Sequence, residues 1–106
     1  RRFERVVGNL IDNAQRHGEG LSDLLVERTD TGLRLTVDDA GPGIPEDLAG
    51  QIFEPFARGD STSQDGAGLG LAIVREQVRL LGGNVAVARS DAGGARFVVE
   101  IPDRGQ

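Results

Sequence analysis

Gly66-Ala67-Gly68-Leu69-Gly70-Leu71 leaves this chain the fewest options. The run opens directly into Leu71, Val74, Val78 and Leu81, whose spacing marks one face of a helix. Glycines in that position let backbone approach a ligand closely and turn its amides outward. The helix that follows adds unpaired N–H groups and a partial positive charge, which favour an anion such as phosphate. A flexible loop that merely precedes a helix would carry the same letters. The rest of the chain has to decide between the two.

A chain of 106 residues makes one domain with one core. No apolar run approaches the length of a membrane span, and Arg1-Arg2-Phe3-Glu4-Arg5 carries no signal-peptide pattern. Cysteine is absent, so there is neither a disulfide framework nor a thiolate metal site. The net charge of −5 argues against a nucleic-acid surface and against a basic membrane-docking patch. All 12 basic residues are arginine. Without lysine there is no Gly-Lys-Ser/Thr phosphate grip and no Schiff-base chemistry, so a bound nucleotide would be held some other way.

Residues 2–17 read as a helix with Phe3, Val6, Val7, Leu10 and Ala14 as its buried stripe and Gly18 as its stop. Gly8 inside it costs about 1 kcal/mol against alanine, which points to close packing at that turn. Asn9, Asn13 and Arg16 share one flank beside the stripe. Amide oxygens suit a hard ion such as Mg²⁺ and a guanidinium suits phosphate, while a solvated polar flank is the plain alternative. His17, the sole histidine, reads as a helix-end cap or an exposed side chain.

Leu21–Thr29 and Leu33–Val37 form an antiparallel hairpin around Asp30-Thr31-Gly32. The second strand runs into Asp38-Asp39-Ala40-Gly41-Pro42-Gly43-Ile44. There Asp39 could accept a hydrogen bond from an exocyclic amine such as that of adenine, or simply close an Asx-type turn. Pro45, Glu46 and Asp47 predict a short helix through Phe53. Phe53 and Phe56 then serve either as a hinge or as core, and Ala57–Asp65, with no apolar anchor, reads as a mobile lid. The helix carrying Leu71 ends at Gly82-Gly83, and Asn84–Arg89 and Ala95–Ile101 make a final hairpin. The order of elements predicts a two-layer α/β sandwich with helices on one face of a mixed or antiparallel sheet.

Four blocks now stand in one order: Asn9-Leu10-Ile11-Asp12-Asn13-Ala14, Asp39-Ala40-Gly41-Pro42-Gly43-Ile44, Phe53-Glu54-Pro55-Phe56, and Gly66-Ala67-Gly68-Leu69-Gly70-Leu71. Together they resemble the N, G1, F and G2 boxes of the catalytic, ATP-binding domain of bacterial sensor histidine kinases, in the GHKL superfamily. Gly82-Gly83, Gly94-Ala95-Arg96-Phe97 and Ile101-Pro102 are similar to that family's closing hairpin. The resemblance covers nearly the whole chain, residues 1–106. It implies the Bergerat-type ATP-binding fold, a mixed sheet of four or five strands with three helices on one face.

The same resemblance implies a site. Asn13 would be the main Mg²⁺ ligand, with Asn9 helping to shape the metal–phosphate site. Arg16 stands where the family usually has lysine or arginine reaching the phosphates, and His17, where it often has tyrosine or histidine, would be a further ATP contact. Asp39 would accept from the adenine amine, with Gly41, Gly43 and Ile44 closing around the base. Phe56 flanks the nucleotide, Arg58 would touch the γ-phosphate, and Gly66, Gly68 and Gly70 would cradle phosphates, with Leu69 and Leu71 fixing the helix. Asn9, Arg16 and Arg58 would be the catalytic set. Ala40 departs from the family, where asparagine is common. Asn9 separates the chain from gyrase, mismatch-repair and chaperone ATPases, in which a glutamate there activates water; asparagine cannot act as that base.

The implied activity is transfer of the ATP γ-phosphate to a histidine on a separate dimerisation domain, with a response regulator downstream. The domain itself is expected to be monomeric, cytoplasmic and without direct membrane contact, its parent soluble or membrane-anchored. His17, followed by Gly18 inside the first box helix, is not the acceptor. The strand that usually precedes that helix is expected to be missing at Arg1. A stand-alone ATPase and a non-catalytic nucleotide-binding or partner-switching module are the rival readings.

Overall fold

The computed structural model describes residues 2–17, 20–49, 51–53, 67–91 and 93–103, apart from the side chains of residues 17, 46 and 67–69. Helix α1 spans Arg2–His17 and helix α2 spans Ala67–Leu80. Strands β1 (Leu21–Arg28), β2 (Gly32–Asp39), β3 (Asn84–Arg89) and β4 (Ala95–Pro102) form one sheet in the order β1-β2-β4-β3.

Period-two alternation sets which face of the sheet is covered. Leu35 and Val37 of β2 and Ala95, Phe97 and Val99 of β4 point to the helices and are buried. Against them pack Val6 and Leu10 from α1 and Leu71, Val74 and Val78 from α2. The stripe read on the first helix faces the core, with Phe3 and Val7 partly buried; of the second stripe Leu71, Val74 and Val78 are core, while Leu81 falls past the end of α2 and is only half-buried. Gly8 departs from expectation. Nothing lies within 4 Å of where its Cβ would stand, so no close packing explains it.

All three strand pairings are antiparallel, so among the described residues the antiparallel alternative holds and not the mixed sheet that the resemblance implied. The cause is the crossover. The chain leaves β2, passes through α2 into β3, and β4 folds back between them, so two strands running the same way never touch. The expected third helix is also absent among the described residues. Glu46–Leu48 makes one 3-10 turn, closed by Leu48 N–H to the Pro45 carbonyl at 2.9 Å. Gly50 interrupts any continuation in the sequence, and Ile52 and Phe53 are drawn into the core instead. Phe53 meets Phe97 edge-to-face at 6.1 Å, which assigns it to packing.

Candidate functional site

Four polar side chains are buried among the described residues: Asn13, Asp38, Asp39 and Ser90. The topology brings them to one end of the sheet. Gly20 donates to the Ala14 carbonyl (2.9 Å) and its own carbonyl accepts from Ala40 N–H (3.2 Å). That bridge ties the last turns of α1, with Asn13, to the end of β2, with Asp39. Helix α2 joins β3 through the tight turn at Leu81–Gly83 and therefore runs back alongside it. Its N-terminus then stands at the Ser90 end, where β3 stops and β2 ends.

Asp39 is held from several sides. Its Oδ1 accepts from Gly41 N–H at 3.0 Å and from Ala95 N–H at 2.9 Å, while its main-chain oxygen accepts from the Ser90 hydroxyl at 3.0 Å. The Asx-type turn is thus real, and it occupies only one carboxylate oxygen. Oδ2 has no hydrogen-bond partner among the described residues, although Asp39 is only 4% exposed. Gly94 packs so closely that a Cβ there would overlap both the main-chain oxygen and Oδ1 of Asp39. Gly43, at φ +82°, sets its backbone against the Gly93 carbonyl, so the loop after β2 leans on the β3–β4 turn.

The neighbouring carboxylate is disposed of differently. Asp38 points to the opposite face of the sheet, where Arg96 grips it with two bonds of 2.8 Å. The hydrogen bonds and charge of Asp38, with smaller help from Asp91 and Asp23, hold Arg96 protonated well above the ordinary arginine range. Of the two adjacent acids, only Asp39 offers an open acceptor toward the helices.

Asn13 is buried at 8% exposure, and its side-chain amide has no hydrogen-bond partner among the described residues. A buried polar group left so costs about 1–3 kcal/mol. Asn9, one turn earlier, is half-buried, and Arg16 is exposed with Nε on Asp12 Oδ2 at 2.8 Å. Gly41, bonded to Asp39, and Ile44 are half-buried, and Ile44 packs on the core. Gly68 and Gly70 fall within the first turn of α2, and Leu71 is core. Phe56, Arg58, Gly66 and the expected lid lie outside the described residues, as do the side chains of His17 and Leu69. Sequence reasoning missed Ser90, Gly94 and Ala95. A serine after a strand and a Gly-Gly doublet say "turn", and nothing local says which strand end that turn will brace.

Residues 1–105 match the profile of the histidine kinase-, DNA gyrase B- and HSP90-like ATPases. The chain belongs to that ATPase family. Among its relatives is the sensor-type histidine kinase PrrB of Mycobacterium tuberculosis, 41% identical over 97 residues that make up 91% of this chain and 22% of PrrB. The alginate biosynthesis sensor protein KinB of Pseudomonas aeruginosa is 40% identical over 94% of the chain and 17% of its own length. The chain thus spans about a fifth of the curated relatives it matches. Among solved structures, the ATP-binding domain of Mycobacterium tuberculosis PrrB superposes with a TM-score of 0.79 at 32% identity, covering 98% of this chain and 68% of that one. Full-length ShkA in complex with AMPPNP gives a TM-score of 0.79 at 38% identity, over 95% of this chain and 21% of ShkA.

For an ATPase of this family the donor set can be tested against the groups the family implies. No cluster of three or more His, Cys, Asp or Glu side chains able to hold an ion occurs among the described residues. An Asn13 amide oxygen fits Mg²⁺ only as one ligand of several, with phosphate oxygens and water completing the shell, which is how Mg²⁺ is ordinarily held. The open Oδ2 of Asp39 fits an amine donor. Both groups are chemically compatible with such guests. No helix among the described residues is long and apolar enough to cross a membrane.

Proposed function

We propose that residues 1–106 are a catalytic domain that binds Mg·ATP and passes its γ-phosphate to a histidine on a separate dimerisation domain of a sensor histidine kinase. The observation that carries this reading is the pair of buried polar groups with unused capacity, Asn13 and Asp39, tied to the same end of the sheet in a chain of this family. Folding has accepted the cost of both, and a ligand that satisfies them repays it.

In this reading Oδ2 of Asp39 accepts from the adenine amine, with Gly41, Gly43 and Ile44 beside the base. The free N–H groups at the start of α2, at Gly68, Leu69 and Gly70, face the phosphates with the helix dipole behind them. Gly66, His17 and Phe56 complete the nucleotide contacts. Mg²⁺, when bound, neutralises charge on the phosphate oxygens, with Asn13 as its protein ligand and Asn9 beside it. Arg16 and Arg58 stabilise charge on the transferring group.

The acceptor imidazole nitrogen forms its bond to the γ-phosphorus as the bond to the β–γ bridging oxygen breaks and ADP leaves. No general base is required, because a neutral imidazole nitrogen already carries a lone pair near pH 7. Asn9, with no proton to take, is consistent with that economy. The chain contributes positioning and charge neutralisation. The phosphorylated histidine would then serve a response regulator.

The test is calorimetric titration of ATP with and without Mg²⁺. Wild type is expected to bind, Asp39→Asn to lose roughly 10- to 100-fold in affinity as a charge-assisted bond becomes a donor–donor clash, and Asn13→Ala to lose mainly the Mg²⁺ dependence. A folded wild-type chain that bound no adenine nucleotide would refute the proposal. Phosphohistidine should form only when a dimerisation domain is supplied; stable labelling of the chain alone would contradict the assigned role of His17.

A further inference from the structure

Beyond the last ladder pair, Asp38 opposite Arg96, strands β2 and β4 stop exchanging main-chain bonds in the regular way. The Ala95 N–H goes instead to Oδ1 of Asp39, and the main-chain oxygen of Asp39 is taken by the hydroxyl of Ser90, which comes from the far end of the β3–β4 turn. Ser90 is 4% exposed, too buried for its hydroxyl to be there for solubility. The turn is itself closed, Ser90 N–H to the Gly94 carbonyl at 2.8 Å and Gly93 N–H to the Ser90 carbonyl at 3.0 Å. One side chain therefore pins a hydrogen-bonded turn to the residue whose carboxylate stays half unsatisfied. On the other flank Gly94 touches that carboxylate without room for a methyl group.

We propose that Ser90 is a positioning residue for adenine selection. Its hydroxyl fixes the end of β2, so that the two amides on Oδ1 hold the Asp39 carboxylate in one orientation and Oδ2 faces the 6-amine of the base. The proposal rests on the reading of Asp39 as the adenine acceptor and goes beyond it, since it has Ser90 act through Asp39, to whose main-chain oxygen its hydroxyl donates. Without the hydroxyl, a buried carbonyl loses its partner and the strand end relaxes to recover one. The carboxylate then samples other orientations, and a fixed acceptor becomes a loose one. Binding of phosphates, made elsewhere, is untouched.

The experiment compares ATP with purine riboside triphosphate, which lacks the 6-amine, in wild type, Ser90→Ala, Asp39→Asn and Val99→Ala. Val99→Ala, at a buried core position of β4 away from Asp39 and Ser90, controls for a general loss of thermal stability. Wild type is expected to prefer ATP, and Asp39→Asn to abolish the preference. Ser90→Ala should cut the preference about 3- to 10-fold, the size of one ordinary hydrogen bond, while affinity for the amine-free analogue holds. Val99→Ala should leave the ratio at the wild-type value. If Ser90→Ala weakened both nucleotides equally, Ser90 would be a structural residue and the inference would be lost while the Asp39 reading stood. If wild type itself showed no preference, the Asp39 reading would fail and this inference with it.

Discussion

Asn13 and Asp39 are exceptions to the rule that buried polar groups are fully paired. Asn13 carries a cost that an apolar replacement would remove, whereas replacing Asp39 would also strip the Gly41 and Ala95 N–H groups of their acceptor. Asn13→Leu, close to isosteric, is therefore expected to raise the unfolding free energy of the ligand-free chain by about 0.5–2 kcal/mol. Urea denaturation reads this as a higher midpoint at unchanged slope, and the same variant should lose its Mg²⁺-dependent ATP binding. A fall in stability would mean that the amide has a partner in the folded state, and the case for a ligand at that position would weaken. Asp38 makes the contrast. Its two oxygens are both spent on Arg96, so it is a structural acid placed next to a functional one. The letters Asp38-Asp39 are identical; strand alternation sends one to each face of the sheet, and only the facing strand decides which is left open.

At the scale of elements, α1 was legible almost to the residue. Its apolar stripe has the period of a helix, and burial of Val6, Leu10 and Ala14 follows from that period. What was misjudged there was Gly8. With open space where a Cβ would stand, Gly8→Ala is expected to stabilise the chain by about 1 kcal/mol through helix propensity and a less flexible unfolded state. Thermal melts would show a rise of several degrees, and a fall would reveal a neighbour that the described residues do not include. The segment after Pro45 failed as a helix for a reason visible in hindsight. Its capping residues favour a first turn, but Ile52 and Phe53 gain more from the core than from further helix. Across the open face of the sheet, Leu25, Thr36, Val98 and Ala86 form one row. Arg34 binds Glu100 at 2.8 Å in the row on one side, and Arg96 binds Asp38 in the row on the other. The Arg34–Glu100 pair aligns strands more than it stabilises them, since exposed ion pairs contribute little, whereas Arg96 satisfies a carboxylate that is buried.

At the scale of the molecule, the four buried polar residues, the end of α1 and the start of α2 meet at one end of a single sheet, while the core fills the rest of the helix-covered face. Ligand binding at that end should then stabilise the whole fold by mass action. At a Mg·ATP concentration about 100 times the dissociation constant, the gain is about 2.7 kcal/mol, or a shift of roughly 10–20 °C for a domain of this size. Asp39→Asn at the same nucleotide concentration should lose most of that shift, and a wild-type melt unmoved by nucleotide would count against the site. The sequence by itself determined the helical stripes, the two hairpins, the absence of a lysine grip and the family, because periodicity, turn chemistry and box motifs are local and survive without coordinates. Only the tertiary structure decided that the described sheet is antiparallel throughout, that one oxygen of Asp39 is spent and the other open, and that Ser90 and Gly94 brace it. Those facts depend on which strand lies beside which, and contact between residues some fifty positions apart leaves no periodic mark on the chain.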